Sequence, residues 1–319
     1  SDPVPAWQGH AGTGFHRAYA LLLRKGCSMS GRFSPSGSAL APYLQVAPLA
    51  FLMITMVGIP LMTVVLLSFW EFDGIAVYPA FTWDNYAEVL SSPVTVKLFL
   101  ATLKYALLTL VATMIIGFTC SYFLVFHVRN LRYQIALFLL CTIPFWTSNV
   151  IRMVSWIPFL GREGLFNSLL LQAGIINRPL DILLYSDFAV VLTYIHLFTL
   201  FMIVPIFNSM AKINPNLIEA ARDAGANSWQ ILSGVIIPLS KTGIALGSIF
   251  VVTLVMGDFF VVRVMSGGQS ASVVSAMKNN IDQLYYPVAS AMAVLLIIVV
   301  LLMVTAILRV VDIRSELAR

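Results

Sequence analysis

Long apolar runs almost empty of charge govern what this chain can fold into. Charge-poor windows of the length needed to cross a bilayer, about 20 residues, occur near 43–69, 105–126, 133–151, 188–211 and 283–308. A further window near 242–262 is interrupted only by Asp258. Hydrocarbon offers no partner to backbone N–H and C=O groups, so a segment within it must be a helix or a strand of a closed barrel. Barrel strands alternate apolar and polar residues, whereas these runs are apolar throughout. The expectation is an all-α membrane protein with six transmembrane helices. Composition agrees: 10% of the 319 residues are charged and 59% are apolar, against roughly 25% charged in a soluble domain.

Lys and Arg beside the spans set the orientation. The N-terminal flank carries Arg17, Arg24, Lys25 and Arg32, and the tail Arg309, Arg314 and Arg319. Arg129 and Arg132 follow span two, and Lys212, Arg222 and Lys241 follow span four. The first connection is acidic, with Glu71, Asp73, Asp84 and Glu88, while the other odd connections are mixed. Both termini are therefore expected in the cytoplasm. The predicted layout is a cytoplasmic tail over 1–40, a six-span domain over 41–311 with a cytoplasmic loop over 212–241, and a cytoplasmic tail over 312–319. Met29 opens a Ser/Gly-rich basic stretch and is a candidate natural start, which would make part of what precedes it non-native.

The net charge of +5 reflects this inner-leaflet bias and is no sign of nucleic-acid binding. Cys27, Cys120 and Cys141 are too scattered for a disulfide framework or a metal motif.

The polar loop after span four is more elaborate than a linker needs. Asn214 is placed to cap a helix, and Pro215 suits its first position. Leu217, Ala220, Ala221 and Ala224 make one apolar stripe, and Gly225 is placed to end the helix. Ser228 or Asn227 can cap a second short helix running toward Pro238, where span five is expected to begin. A small-residue stripe permits close approach to a partner's groove and offers little area to bury in lipid. An ordinary amphipathic helix lying on the membrane surface is the alternative.

Glu219-Ala220-Ala221, three residues, Gly225, nine residues and Val235-x-Ile237-Pro238 resemble the cytoplasmic signature of permease subunits of bacterial binding-protein-dependent ABC importers. Val235 and Ile237 stand where Ile and Leu are usual. Thr82-Trp83-Asp84-Asn85-Tyr86, the run from Pro144-Phe145-Trp146 to Arg152, Met265-Ser266-Gly267-Gly268 and Pro287-Val288-Ala289-Ser290-Ala291 resemble segments of the spermidine/putrescine permeases. The resemblance covers roughly residues 40–310. It implies that the loop is a coupling helix seated in an ATPase subunit, with Glu219, Ala220, Ala221, Asp223, Gly225 and Pro238 in that role. It also implies a second homologous permease subunit, two ATPase subunits and an extracytoplasmic solute-binding protein. The chain has no GxxxxGK(S/T) loop, so no cofactor is expected in it; ATP and Mg would be bound by the partner ATPase.

Ionisable groups within spans are costly and mark candidate pathways. Asp258 is expected in span five near its outer end, and Arg152 at comparable depth in span three. Asp258 is a candidate for attracting a cationic solute; alternatively it pairs with Arg152, or each reaches water. Phe145, Trp146 and Phe259 could hold alkylammonium groups over their rings. Trp146 and Asn149 are expected to share one helix face, with Arg152 a turn further on. An interfacial aromatic belt is the alternative use. His196 is expected to be hydrogen-bonded in packing, and Lys104 to snorkel. Arg162, Glu163, Arg178 and Asp181 are candidate contacts for the binding protein. The leading function is a non-catalytic permease subunit importing polyamines or a related small cation. The alternatives are the same machine for an organophosphonate, iron or an opine, or a secondary transporter.

Overall fold

A computed structural model of the chain describes residues 41–74, 76–128 and 130–311. The expected tails over 1–40 and 312–319, with Cys27, Met29 and Arg129, lie outside the described residues. The chain divides into two units, Ser1–Pro60 and Leu61–Arg319. In the first, α1 (Ala41–Met53) runs into a π-helical turn at Ile54–Gly58. α2 (Ile59–Leu67) completes the span Val46–Leu67.

After α2 a small antiparallel hairpin pairs β1 (Glu71–Phe72) with β2 (Val77–Tyr78). α3 (Asp84–Ser91) follows it. The Asn85 amide donates to the Ser68 and Trp70 carbonyls at 3.0 and 2.8 Å, and the Tyr86 and Ser68 hydroxyls lie 2.7 Å apart. The Thr82–Tyr86 segment therefore holds this connection to the chain that leaves α2.

α4 (Pro93–Phe126) starts well before its apolar window, because Ser92 caps it and Pro93 occupies its first turn. α5 (Leu131–Thr142) tightens into a 3₁₀ turn at Ile143–Trp146, and the chain then breaks. It restarts as α6 (Asn149–Val154), α7 (Trp156–Leu160) and α8 (Leu165–Gln172). The two arms, Leu131–Trp146 and Asn149–Gln172, meet at 92°. Pro144 has no N–H to give the preceding turn. The hydroxyls of Thr142 and Thr147 bond local carbonyls, at 3.0 Å to Phe138 and 2.8 Å to Pro144, an alternative to continuing the helix.

α9 (Asp187–Met210) is the central span and packs mainly on α4 and α12. The polar loop forms α10 (Pro215–Asp223) and α11 (Ser228–Ile231), and a π-helical turn at Leu232–Ile236 leads into α12 (Ile237–Met256). α13 (Phe260–Met265), α14 (Val273–Asp282) and the last span α15 (Tyr286–Val311) complete the order. Among the described residues, helices long and apolar enough to span number 5, or up to 6 if the bent pair is one span.

Small residues let the central helices approach closely. A Cβ at Gly243 on α12 would lie 2.4 Å from the Pro205 carbonyl oxygen on α9. Along the same helix pair, Tyr194, Met202, Ile206 and Met210 of α9 and Val251, Val252 and Val255 of α12 are buried.

Candidate functional site

The polar loop is built as its residues predict. The Asn214 side chain accepts the Asn216 N–H at 3.0 Å, and Pro215 stands at the first helical position. At the other end the Gly225 N–H donates to the Arg222 carbonyl at 2.9 Å and the Ala226 N–H to the Ala221 carbonyl at 3.0 Å. These two bonds satisfy the last carbonyls and require a left-handed residue between them; Gly225 supplies it with φ +85. Asn227 and Gln230 form a reciprocal capping box, each bond 2.8 Å long. α11 thus restarts almost where α10 stops.

The apolar stripe divides between two surroundings. Ala221 packs inward with Ile218 and Ala226. Leu217, Ala220, Ala224 and the acidic pair Glu219 and Asp223 are exposed. A cleft of about 890 Å³ runs from Glu219 and Arg222 to Phe126, Gln134 and Phe207 at the ends of the neighbouring helices. Pro238 is exposed at the start of α12.

The pathway candidates are rearranged. Asp258 is not inside the helix of the expected fifth span but beyond its end: α12 stops at Met256 and Gly257 caps it. The Asp258 carboxylate accepts the Val261 N–H at 2.9 Å, opening α13, and the Tyr194 hydroxyl at 3.2 Å. Burial pushes the carboxyl up from the ordinary carboxylate range, and the Val261 and Tyr194 bonds pull it part of the way back. Arg152 does not pair with it. The Arg152 guanidinium donates to the Asn149 side-chain oxygen instead.

Trp146 and Asn149 do not share a helix face, because the break after Trp146 puts them on separate elements. Trp146 is 87% exposed. Phe145 meets Phe201 edge-on at 5.7 Å. Phe259 borders a pocket of about 210 Å³ together with Arg263 and Lys278. Among the described residues no hydrogen bond, ion pair or ring contact joins the Trp146 group directly to Asp258. An aromatic ladder along α9 connects them: Phe145 to Phe201, Phe201 to Phe198 at 6.2 Å, Phe198 to Tyr194 at 5.6 Å, and Tyr194 to Asp258.

Other groups take partners that the sequence did not name. Lys104 does not simply snorkel: its ammonium lies 2.6 Å from Asp187, which also accepts from the hydroxyls of Tyr105 at 2.5 Å and Ser270 at 3.0 Å. Ser186 before an apolar run signals a helix start, but nothing local signals that Asp187 ties α4 to the loop after α13. His196 is hydrogen-bonded as expected, accepting from Trp156 Nε1 at 2.9 Å. Arg162 lies 3.4 Å from Asp181. Gly267 and Gly268 both have positive φ, and a Cβ at Gly267 would lie 2.6 Å from the Tyr185 ring.

The family of binding-protein-dependent transport system inner membrane components matches residues 128–316, more than half of the chain and including the polar loop. The chain belongs to this family. Its members are the membrane components of binding-protein-dependent importers, not their ATPases, and this chain is a multi-pass inner-membrane protein. It is 33% identical over 232 residues to the spermidine/putrescine transport system permease protein PotB of Escherichia coli K12, covering 72% of this chain and 83% of that one. PotB of Haemophilus influenzae is 30% identical over 263 residues, 82% of this chain and 91% of its own. The fold is shared with a chain of a bacterial alginate ABC transporter solved with a pentasaccharide-bound periplasmic protein. That match has a TM-score of 0.67 at 17% identity and covers 83% of this chain and 91% of the other.

Proposed function

We propose that this permease forms half of a polyamine translocation pathway, with six spans and both termini in the cytoplasm. The layout is a spanning domain over 41–311 with its coupling loop over 212–241. The observation that carries the proposal is the polar loop: a helix capped at both ends, closed by Gly225, with Leu217, Ala220 and Ala224 exposed on an otherwise charged surface. Exposed apolar side chains on a rigid, short helix suit a groove in a protein partner. Glu219, Ala220, Ala221, Asp223, Gly225 and Pro238 are the residues through which an ATPase subunit would move the spans. ATP and Mg belong to that subunit.

The partners are a second homologous permease subunit, two ATPase subunits and an extracytoplasmic binding protein. The polyamine assignment draws on the two PotB relatives, which are spermidine/putrescine permeases by name. The Asp258 carboxylate and the accessible rings of Phe145 and Phe259 have the chemistry for passing alkylammonium groups. Phe145, Trp146, Asn149, Asp258 and Phe259 are the proposed pathway residues. The test is solute-stimulated ATP hydrolysis by the reconstituted complex. Stimulation by putrescine or spermidine supports the assignment, and stimulation by another solute alone replaces it.

A further inference from the structure

At the bend between α5 and α6 stands a buried cation that has no counter-charge among the described residues. Arg152 is 7% exposed. Among the described residues its guanidinium has no carboxylate within salt-bridge reach, and its shielded Nε finds no acceptor. Burying a charge is expensive unless it is paired. Its hydrogen-bond partner, Asn149, is neutral.

The neighbouring groups are oriented alike. Asn149 gives its side-chain oxygen to Arg152, so its amide NH₂ donors point away from that bond. Trp156 Nε1 can only donate, so the His196 Nδ1 it bonds is an acceptor. The proton of the neutral ring is then on Nε2, a donor aimed away from Trp156. α6 packs against α9, and Trp156, four residues after Arg152, is bonded to His196, which places His196 beside the Asn149–Arg152 pair. Asn149 and His196 are both exposed on this chain. His196 lies about 13 Å along α9 from its first residue, Asp187, at the helical rise per residue. It falls within an apolar span, where an exposed polar donor is poorly matched to lipid and marks a cavity or a protein contact.

We propose that Asn149, Arg152 and His196 form a donor-only site that takes a carboxylate. The inference rests on the reading that two permease subunits enclose the pathway. The carboxylate is supplied by an Asp or Glu of the second permease subunit or by the passing solute, and one experiment separates the two. The intact complex is purified through this chain with wild-type, Arg152→Gln, Arg152→Lys and His196→Leu subunits, then reconstituted in nanodiscs. Recovery of the second permease subunit and heat stability are read with putrescine and with 4-aminobutyrate, which replaces one ammonium by a carboxylate.

If the partner subunit supplies the group, Arg152→Gln lowers recovery of that subunit roughly tenfold or more, whichever solute is present. Arg152→Lys restores part of it. If the solute supplies it, recovery is unchanged, 4-aminobutyrate protects the wild-type complex, and Arg152→Gln loses that protection. His196 is exposed on its helix, so His196→Leu should fold and weaken the same readout, which covers the case in which Arg152→Gln misfolds. Unchanged recovery in both variants with no protection by 4-aminobutyrate overturns the proposal. Failure of the polyamine reading is a separate result, seen as a wild-type ATPase that putrescine and spermidine do not stimulate.

Discussion

Gly225 and Asp258 are the residues where local chemistry bears most directly on transport. Gly225 has φ +85 and open space around its Cβ direction, so a substitution there strains the backbone without a clash. Gly225→Val should destabilise the loop by about 1–2 kcal/mol or more, the cost of a left-handed β-carbon, and leave the spans inserted. ATP hydrolysis should then proceed with import reduced, measured as the ratio of solute moved to ATP split. Normal import at a normal ratio would contradict the coupling role. Burial raises the Asp258 carboxyl from its ordinary value, so it takes up a proton at higher pH than an exposed Asp. If its charge draws in a cation, solute-stimulated hydrolysis falls as pH drops through that raised value and recovers on return. Asp258→Asn should remove this acidic limb from the pH profile; an unchanged profile would leave Asp258 as a cap for α13 alone.

At the scale of elements, caps were legible and tertiary partners were not. Asn214-Pro215 and Gly225 mark helix ends because capping is settled within a few residues, and α10 begins and ends accordingly. The break after Trp146 was missed because Pro144 lies in a run whose hydropathy does not change across it. The 92° bend removed the expected common face of Trp146 and Asn149. Asp258 was misplaced for a related reason: Gly257 ends α12 and Asp258 caps α13, a role indistinguishable by hydropathy from a charge inside a span. The packing of α9 on α12 gives a further prediction. A side chain at Gly243 would press on the Pro205 backbone at 2.4 Å, which cannot swing aside as a rotamer can. Gly243→Leu should cost about 3 kcal/mol, the upper end for overpacking, and lower the melting temperature in detergent. A melting curve matching wild type would mean that the helices do not approach this closely. Asn214→Ala, which removes only a cap, should cost about 1 kcal/mol by the same measurement.

For the molecule as a whole, six apolar windows and one patterned loop were enough to read a transporter component driven from outside itself. The solute was not legible in the same way, since the ionisable candidates carry both signs, Asp258 before α13 and Arg152 beside the bend. Which sign the solute meets depends on a second subunit that this sequence does not encode. The central claim is that the chain is a polyamine permease worked by a separate ATPase through its Glu219–Gly225 loop. The most direct measurement is ATP hydrolysis by the full complex in lipid, with binding protein, across a solute panel that includes putrescine and spermidine, for wild type beside Gly225→Val. The account predicts that a polyamine stimulates hydrolysis and import together in wild type, and that the variant hydrolyses ATP while importing little. No polyamine stimulation, or equal import per ATP in the two proteins, would contradict it.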